Sequence, residues 1–275
     1  MQYGKTPDGT LVVFFSDGKK AALLQRESVK YSPLSQFIPP AYVPAAATGI
    51  SLLLLAAMNV VRTVFEFKAL DIGRKGKKVG ESRLMLFGRN VAEPLALIGA
   101  SVVLGVSISW QYFGPGPSFA EWVGINTAIC FLAGIAHELT HRVFARLFKI
   151  SVEYRFWPTG SALTIISSYL GNAFSVQGFL LEDIPKHTAK WKVGLMKLAA
   201  PMLSTAVMVF FAWYNSLHPD MIYEAIYTIS ALWAMAEMLP FAGLDGKDIK
   251  EWNPTVWLAS FLFVAACYVF VTFIM

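Results

Sequence analysis

WVGINTAICFLAGIAHELTHRVFARL, residues Trp122 to Leu147, decides the reading of this chain. Its first fifteen residues carry no charge, and the run is long enough to predict a helix that crosses a bilayer, for which about 20 apolar residues suffice. Three ionisable side chains then follow within five positions: His137, Glu138 and His141. Each such group costs on the order of 2.5 to 3.5 kcal/mol at bilayer depth, so the cluster needs a compensating interaction. A bound metal would supply one.

On a helix, positions i and i+4 are about 40° apart, so the imidazoles of His137 and His141 point the same way and can share one ion. Zinc is the usual guest of such a pair. Glu138 lies about 60° from His141 around the axis, close enough to take a proton without being a ligand. Zinc lowers the pKa of a bound water from about 15.7 towards 7, and a neighbouring carboxylate can then serve as base and later as acid. This is the chemistry of metal-assisted amide hydrolysis. The competing expectation is a helix end whose His and Glu snorkel to the interface beside Arg142, Arg146 and Lys149. Two histidines at ligand spacing with an intervening Glu exceed what snorkelling requires.

The surrounding composition fits a polytopic membrane protein: of 275 residues, 56% are hydrophobic and 15% charged. Six apolar segments are predicted to span, near Tyr42 to Val61, Val91 to Phe113, Trp122 to Leu147, Val193 to Tyr214, Met221 to Pro240 and Pro254 to Met275. A seventh uncharged stretch, Phe156 to Leu181, is broken by Pro158, Gly160, Gly171 and Gly178, and reads as re-entrant. The fold class expected is thus all-α and polytopic, with six transmembrane helices and a re-entrant segment, able to hold β structure, after the catalytic helix. No cleavable signal peptide is expected, because about forty mixed residues precede the first apolar run. Within those residues, Gly9 to Leu24 reads as a small hairpin. Cys130 and Cys267 lie in apolar spans without CxxC spacing, which argues against a disulfide framework or a thiolate metal site.

Charge sets the expected orientation. Between Arg62 and Arg89 stand eight Lys or Arg against three acids, whereas the connection from Gly114 to Trp122 has only Glu121. The positive-inside rule makes the first of these loops cytoplasmic and the second external, placing His137 and His141 towards the cytoplasm and the N-terminus outside. The cluster Arg74, Lys75, Lys77 and Lys78 could attract anionic headgroups, but topology signalling accounts for it. A nucleic-acid partner is excluded: the cluster is short and has no interleaved aromatics.

A catalytic zinc site needs three protein ligands and one open position. On this orientation His218 and Glu224 fall on the wrong side, and His187 lies in a connection before the fourth span. Glu237, Asp245 and Asp248 remain, grouped around Pro240, Gly243 and Gly246, which break the fifth apolar segment. An unwound backbone at that depth is tolerated where protein or a cavity surrounds it, and such a break can aim Asp245 inward. Asp245-Gly246 is equally a strong turn dipeptide, so residue type alone leaves these candidates open.

HELTH at 137–141 with LPFAGLDGKDIKEWN at 239–253 resembles the site-2 protease family of intramembrane zinc metalloproteases. YRFWP at 154–158 resembles the start of that family's membrane-embedded sheet, and Ala199-Ala200-Pro201 is similar to its AGP segment. The similarity covers roughly Trp122 to Pro254. The resemblance implies one Zn2+ per chain on His137, His141 and Asp245, with Glu138 catalytic. Where many members have asparagines that steady substrate or oxyanion, this chain has Ser204 and Glu237. A division follows: an extracytoplasmic segment 1–41, two accessory helices with a basic cytoplasmic loop in 42–121, a metalloprotease core in 122–254 and a C-terminal helix in 255–275.

One zinc site also constrains topology. If Phe156 to Leu181 spanned, Asp245 would lie a hydrocarbon thickness from the histidines, so the segment must turn back, leaving both termini outside. The expected activity is hydrolysis of peptide bonds in or near transmembrane segments of membrane-protein substrates, at the cell membrane, with the active site facing the cytoplasm. Substrate would be captured as an added strand, with the edge placed in Ser161 to Gly178; an equal alternative for that segment is lining the water path to zinc. Two alternatives stand beside it. One is the prenyl-protein or stress type of multi-span HExxH endopeptidase, with Glu237 as third ligand; the other is a non-catalytic metal transporter or sensor. The bilayer and transmembrane substrates are the expected partners; oligomeric state is not readable.

Overall fold

A computed structural model describes residues 2–5, 11–14, 20–22, 31–65, 79, 85–86, 89–90, 92–241 and 243–273. The chain is mostly helical. Five helices are long and apolar enough to cross a membrane, the mark of an integral membrane protein: Pro40–Val60, Ala92–Phe113, Phe119–Phe148, Lys190–Leu217 and Pro254–Val271. In element terms these are α1 (Val43–Phe65), α2 (Ala92–Phe113), α3 (Phe119–Phe148), α5 (Lys190–Leu217) and α8 (Pro254–Phe273). The segment expected as a further span is the 17-residue α6 (Met221–Glu237). At 1.5 Å per residue it measures about 25 Å, less than a hydrocarbon core of about 30 Å.

The N-terminal hairpin expected near Gly9 to Leu24 is present within an antiparallel meander of β1 (Gln2–Lys5), β2 (Leu11–Phe14) and β3 (Lys20–Ala22). The basic stretch Arg62 to Arg89 lies largely outside the described residues; within it β4 (Met85–Leu86) pairs with β5 (Arg89–Asn90).

Between α3 and α5 the chain doubles back. Lys149, at φ 59°, closes α3 in the left-handed conformation, and β6 (Ser151–Phe156) follows. α4 (Pro158–Leu170) starts with proline in its first turn and ends at Gly171, φ 114°. Then β7 (Gly178–Asp183) pairs antiparallel with β6, Phe156 opposite Gly178 and Ser151 opposite Asp183. Ser161 to Gly178 therefore does not supply the edge strand placed there from its Ser, Thr and Ile content. Ser161, Thr164, Ser167 and Ser168 recur at the helical period and are buried, while Ile165, Ile166 and Tyr169 face outward. Period outweighs β propensity here. The edge is β7.

α2 and α3 approach closely at Gly105, where a Cβ would stand 2.7 Å from the backbone nitrogen of Thr127. Beyond α6 the chain leaves the helix at Met238, passes Gly243 at φ 104° and enters α7 (Asp245–Trp252). Gly246 has no room for a side chain: its Cβ would lie 2.2 Å from the Met238 carbonyl oxygen. That approach folds the start of α7 against the end of α6.

Candidate metal centre

α3 presents His137, Glu138 and His141 on its buried side, and all three are nearly inaccessible. The ring orientations are set by α5. His141 Nδ1 lies 3.1 Å from the Met196 carbonyl, and His137 Nδ1 lies 3.4 Å from Ser204 Oγ. A carbonyl only accepts, so His141 carries its proton on Nδ1 and aims the Nε2 lone pair into the cluster. His137 also stacks on Trp233 of α6, with centroids 5.7 Å apart.

Asp245, first residue of α7, completes the group. Its Oδ2 lies 3.1 Å from His141 Nε2 and 4.0 Å from His137 Nε2, while the two Nε2 atoms are 3.2 Å apart. Ligands on a tetrahedral zinc at bonds of about 2.0–2.1 Å stand roughly 3.3 Å from one another; the two separations at His141 Nε2 match that edge, and the His137–Asp245 separation of 4.0 Å is longer. Asp245 Oδ2 and Glu138 Oε2 are buried without a hydrogen-bond partner among the described residues, a cost that a cation in their midst removes. Two imidazoles and a carboxylate form a zinc donor set, and among the described residues this is the grouping that can hold an ion.

Electrostatics supports the carboxylate. Burial alone would raise the pKa of Asp245, but positive charge on His141, when that ring is protonated, and on the Lys197 ammonium outweighs it and holds the group below the usual carboxylate range. Asp248 goes the other way: burial pushes it up against the pull of Lys197.

The other sequence candidates fall around or outside this centre. Glu237 lines the same cavity, but it accepts the Asp245 backbone N–H at 3.2 Å and is not in the donor triad. Asp248 faces Lys197 at 3.8 Å. His187 and His218 are exposed, away from the cavity.

Several lining residues gave little sequence signal. The cavity, about 20 Å³, has room for about one water beside Glu138. Tyr154, Gly178 and Leu180 of the β6–β7 hairpin line it, with Leu97 of α2 and Trp233. Tyr154 pairs with Leu180 and shares a sheet face with Gly178, which lies diagonally across the pair. A Cβ on Gly178 would come within 1.9 Å of the Tyr154 hydroxyl, so glycine lets the phenol lie across the strand. Glu93, at the start of α2, accepts the Tyr154 N–H at 2.7 Å and pairs with Arg142 just beyond His141. α2 thus lines the cavity through Leu97 and braces its wall through Glu93.

A relative carries a telling name. The chain is similar to "Putative zinc metalloprotease MJ0611" of Methanocaldococcus jannaschii, at 29% identity over 164 residues, covering 56% of this chain and 82% of that protein. No family model matches the chain. No solved structure matches it either.

Proposed function

We propose that this chain is an intramembrane zinc metalloprotease of the site-2 protease type, cutting peptide bonds in or beside transmembrane segments of its substrates. The observation that carries the reading is the convergence of His137 and His141 Nε2 with Asp245 Oδ2 beside Glu138, whose Oε2 is buried without a hydrogen-bond partner among the described residues. The relative's name agrees with the chemistry.

His137, His141 and Asp245 would hold the ion. Zinc bound there would supply Lewis-acid activation of the scissile carbonyl and the attacking water. Glu138 takes the proton from that water and hands it to the departing amide nitrogen, so one carboxylate is base and then acid. Burial around it limits competing water. Ser204 steadies the His137 ring, and Glu237 fixes the Asp245 backbone, in place of direct substrate contacts. A substrate helix must unwind before attack, and β7, paired among the described strands only with β6, offers its backbone to the extended form.

In the membrane, α6 would make a sixth, slightly short span, and the β6–α4–β7 excursion would return to the side it left. Both termini would then lie outside, with the centre towards the cytoplasm.

The test compares parent protein, Glu138→Ala, Asp245→Ala and Glu237→Ala for zinc content and cleavage of a membrane-spanning reporter. Glu138→Ala is expected to keep zinc and lose about 10²- to 10⁴-fold in rate. Asp245→Ala is expected to lose zinc and Glu237→Ala to keep it. Zinc lost with Glu237 and kept without Asp245 would instead favour the endopeptidase type whose third ligand is glutamate.

A further inference from the structure

Lys197 is a cation inside α5, within the apolar stretch, and is 3% exposed. An ammonium at such a place needs partners. It has three carboxylates from two other elements: Glu182 of β7 in direct contact, Asp245 Oδ1 at 3.1 Å and Asp248 Oδ2 at 3.8 Å.

The two oxygens of Asp245 are therefore divided. Oδ1 faces Lys197, and Oδ2 faces His141 and His137. A carboxylate free at both oxygens can take a cation with either one or two, and the second bond would occupy the position that a substrate needs. An ammonium on Oδ1 prevents this. The same ammonium reaches Glu182, on the sheet face that carries Tyr154, Gly178 and Leu180 into the cavity. Metal ligand and β7 edge thus share one anchor. Partners of this kind, outside the ligands themselves, orient metal sites and typically matter 10- to 100-fold in affinity or activity.

We propose that Lys197 is a positioning residue: by bonding Asp245 Oδ1 and Glu182 together, it makes Asp245 a one-oxygen ligand and ties that ligand to the strand along which substrate lies. This rests on the metal-site reading above.

The experiment uses the full chain in detergent, loaded with Co2+ for visible spectra and with Zn2+ for kinetics. The parent is expected to show the intense bands of four-coordinate Co2+. Lys197→Met is expected to keep its metal, shift to the weaker bands of higher coordination as Oδ1 joins, and lose about 10- to 100-fold in kcat. Glu182→Gln keeps the Lys197–Asp245 bond but exchanges the ion pair to the strand for a weaker, neutral hydrogen bond. It should retain the parent bands and kcat while KM rises about threefold to tenfold.

Parent bands and kcat in folded Lys197→Met would overturn the inference and leave the protease reading standing. Should Lys197→Met not fold, the other two samples decide: higher-coordinate bands in the parent, or an unchanged KM in Glu182→Gln, overturn it. A parent that binds no Co2+ brings down the metal-site reading and this inference with it.

Discussion

α3 and α8 are both long apolar helices, yet they are built on opposite plans. In α3 the buried set is Asn126, Cys130, Gly134, His137, Glu138, His141 and Ala145, a single stripe at helical spacing. Leu132, Leu139, Val143 and Leu147 face outward. In α8 the described buried side chains are Val264 and Val271, with Leu258, Leu262, Phe263, Val269 and Phe270 outside. Lipid explains the contrast. Where the surroundings are as apolar as leucine, burial is driven by small residues that let backbones approach and by polar groups that need partners. The stripe in α3 has both, whereas α8 has little beyond contact area.

Substitutions can break or sharpen that difference. The largest effect is expected at Gly134, where a Cβ would stand 2.8 Å from Leu97 Cδ1 and 2.9 Å from Trp233 Cη2. Gly134→Leu should cost about 1–3 kcal/mol through overpacking, lowering the thermal midpoint in detergent. By displacing Trp233 from the His137 ring it should also cut cleavage about 10²-fold. A smaller effect is expected from Ser204→Ala, which leaves the helix intact and takes the oxygen from His137 Nδ1. Chelator competition should show zinc affinity reduced by about tenfold. The least is expected from Leu262→Ala and Phe263→Ala on α8, within about 0.5 kcal/mol in unfolding and with unchanged cleavage. A cleavage defect there equal to that of Gly134→Leu would erase the distinction.

The buried stripe was legible because its residues are close in sequence: spacing alone puts His137 and His141 on one side of a helix. Asp245 became readable through its turn and its resemblance to a known motif, since no periodicity links it to residues a hundred positions earlier. Lys197 left a visible trace, a charge within an apolar span, but its three partners come from β7 and α7 and exist only after folding. The placement of Tyr154 over Gly178 depends on strand register, which local sequence does not encode. α4 was misassigned because its Ser, Thr and Ile content suits a strand, while its buried hydroxyls follow a helical period.

α8 contributes nothing to the chemistry, yet its Trp257 indole donates to the Met238 carbonyl at 2.9 Å. That oxygen belongs to the frayed end of α6, against which Gly246 packs. The C-terminal helix is thus a clasp on the hinge that delivers Asp245. A chain trimmed ahead of Trp257 would retain all three donors and still lose the fastening that keeps the third in place.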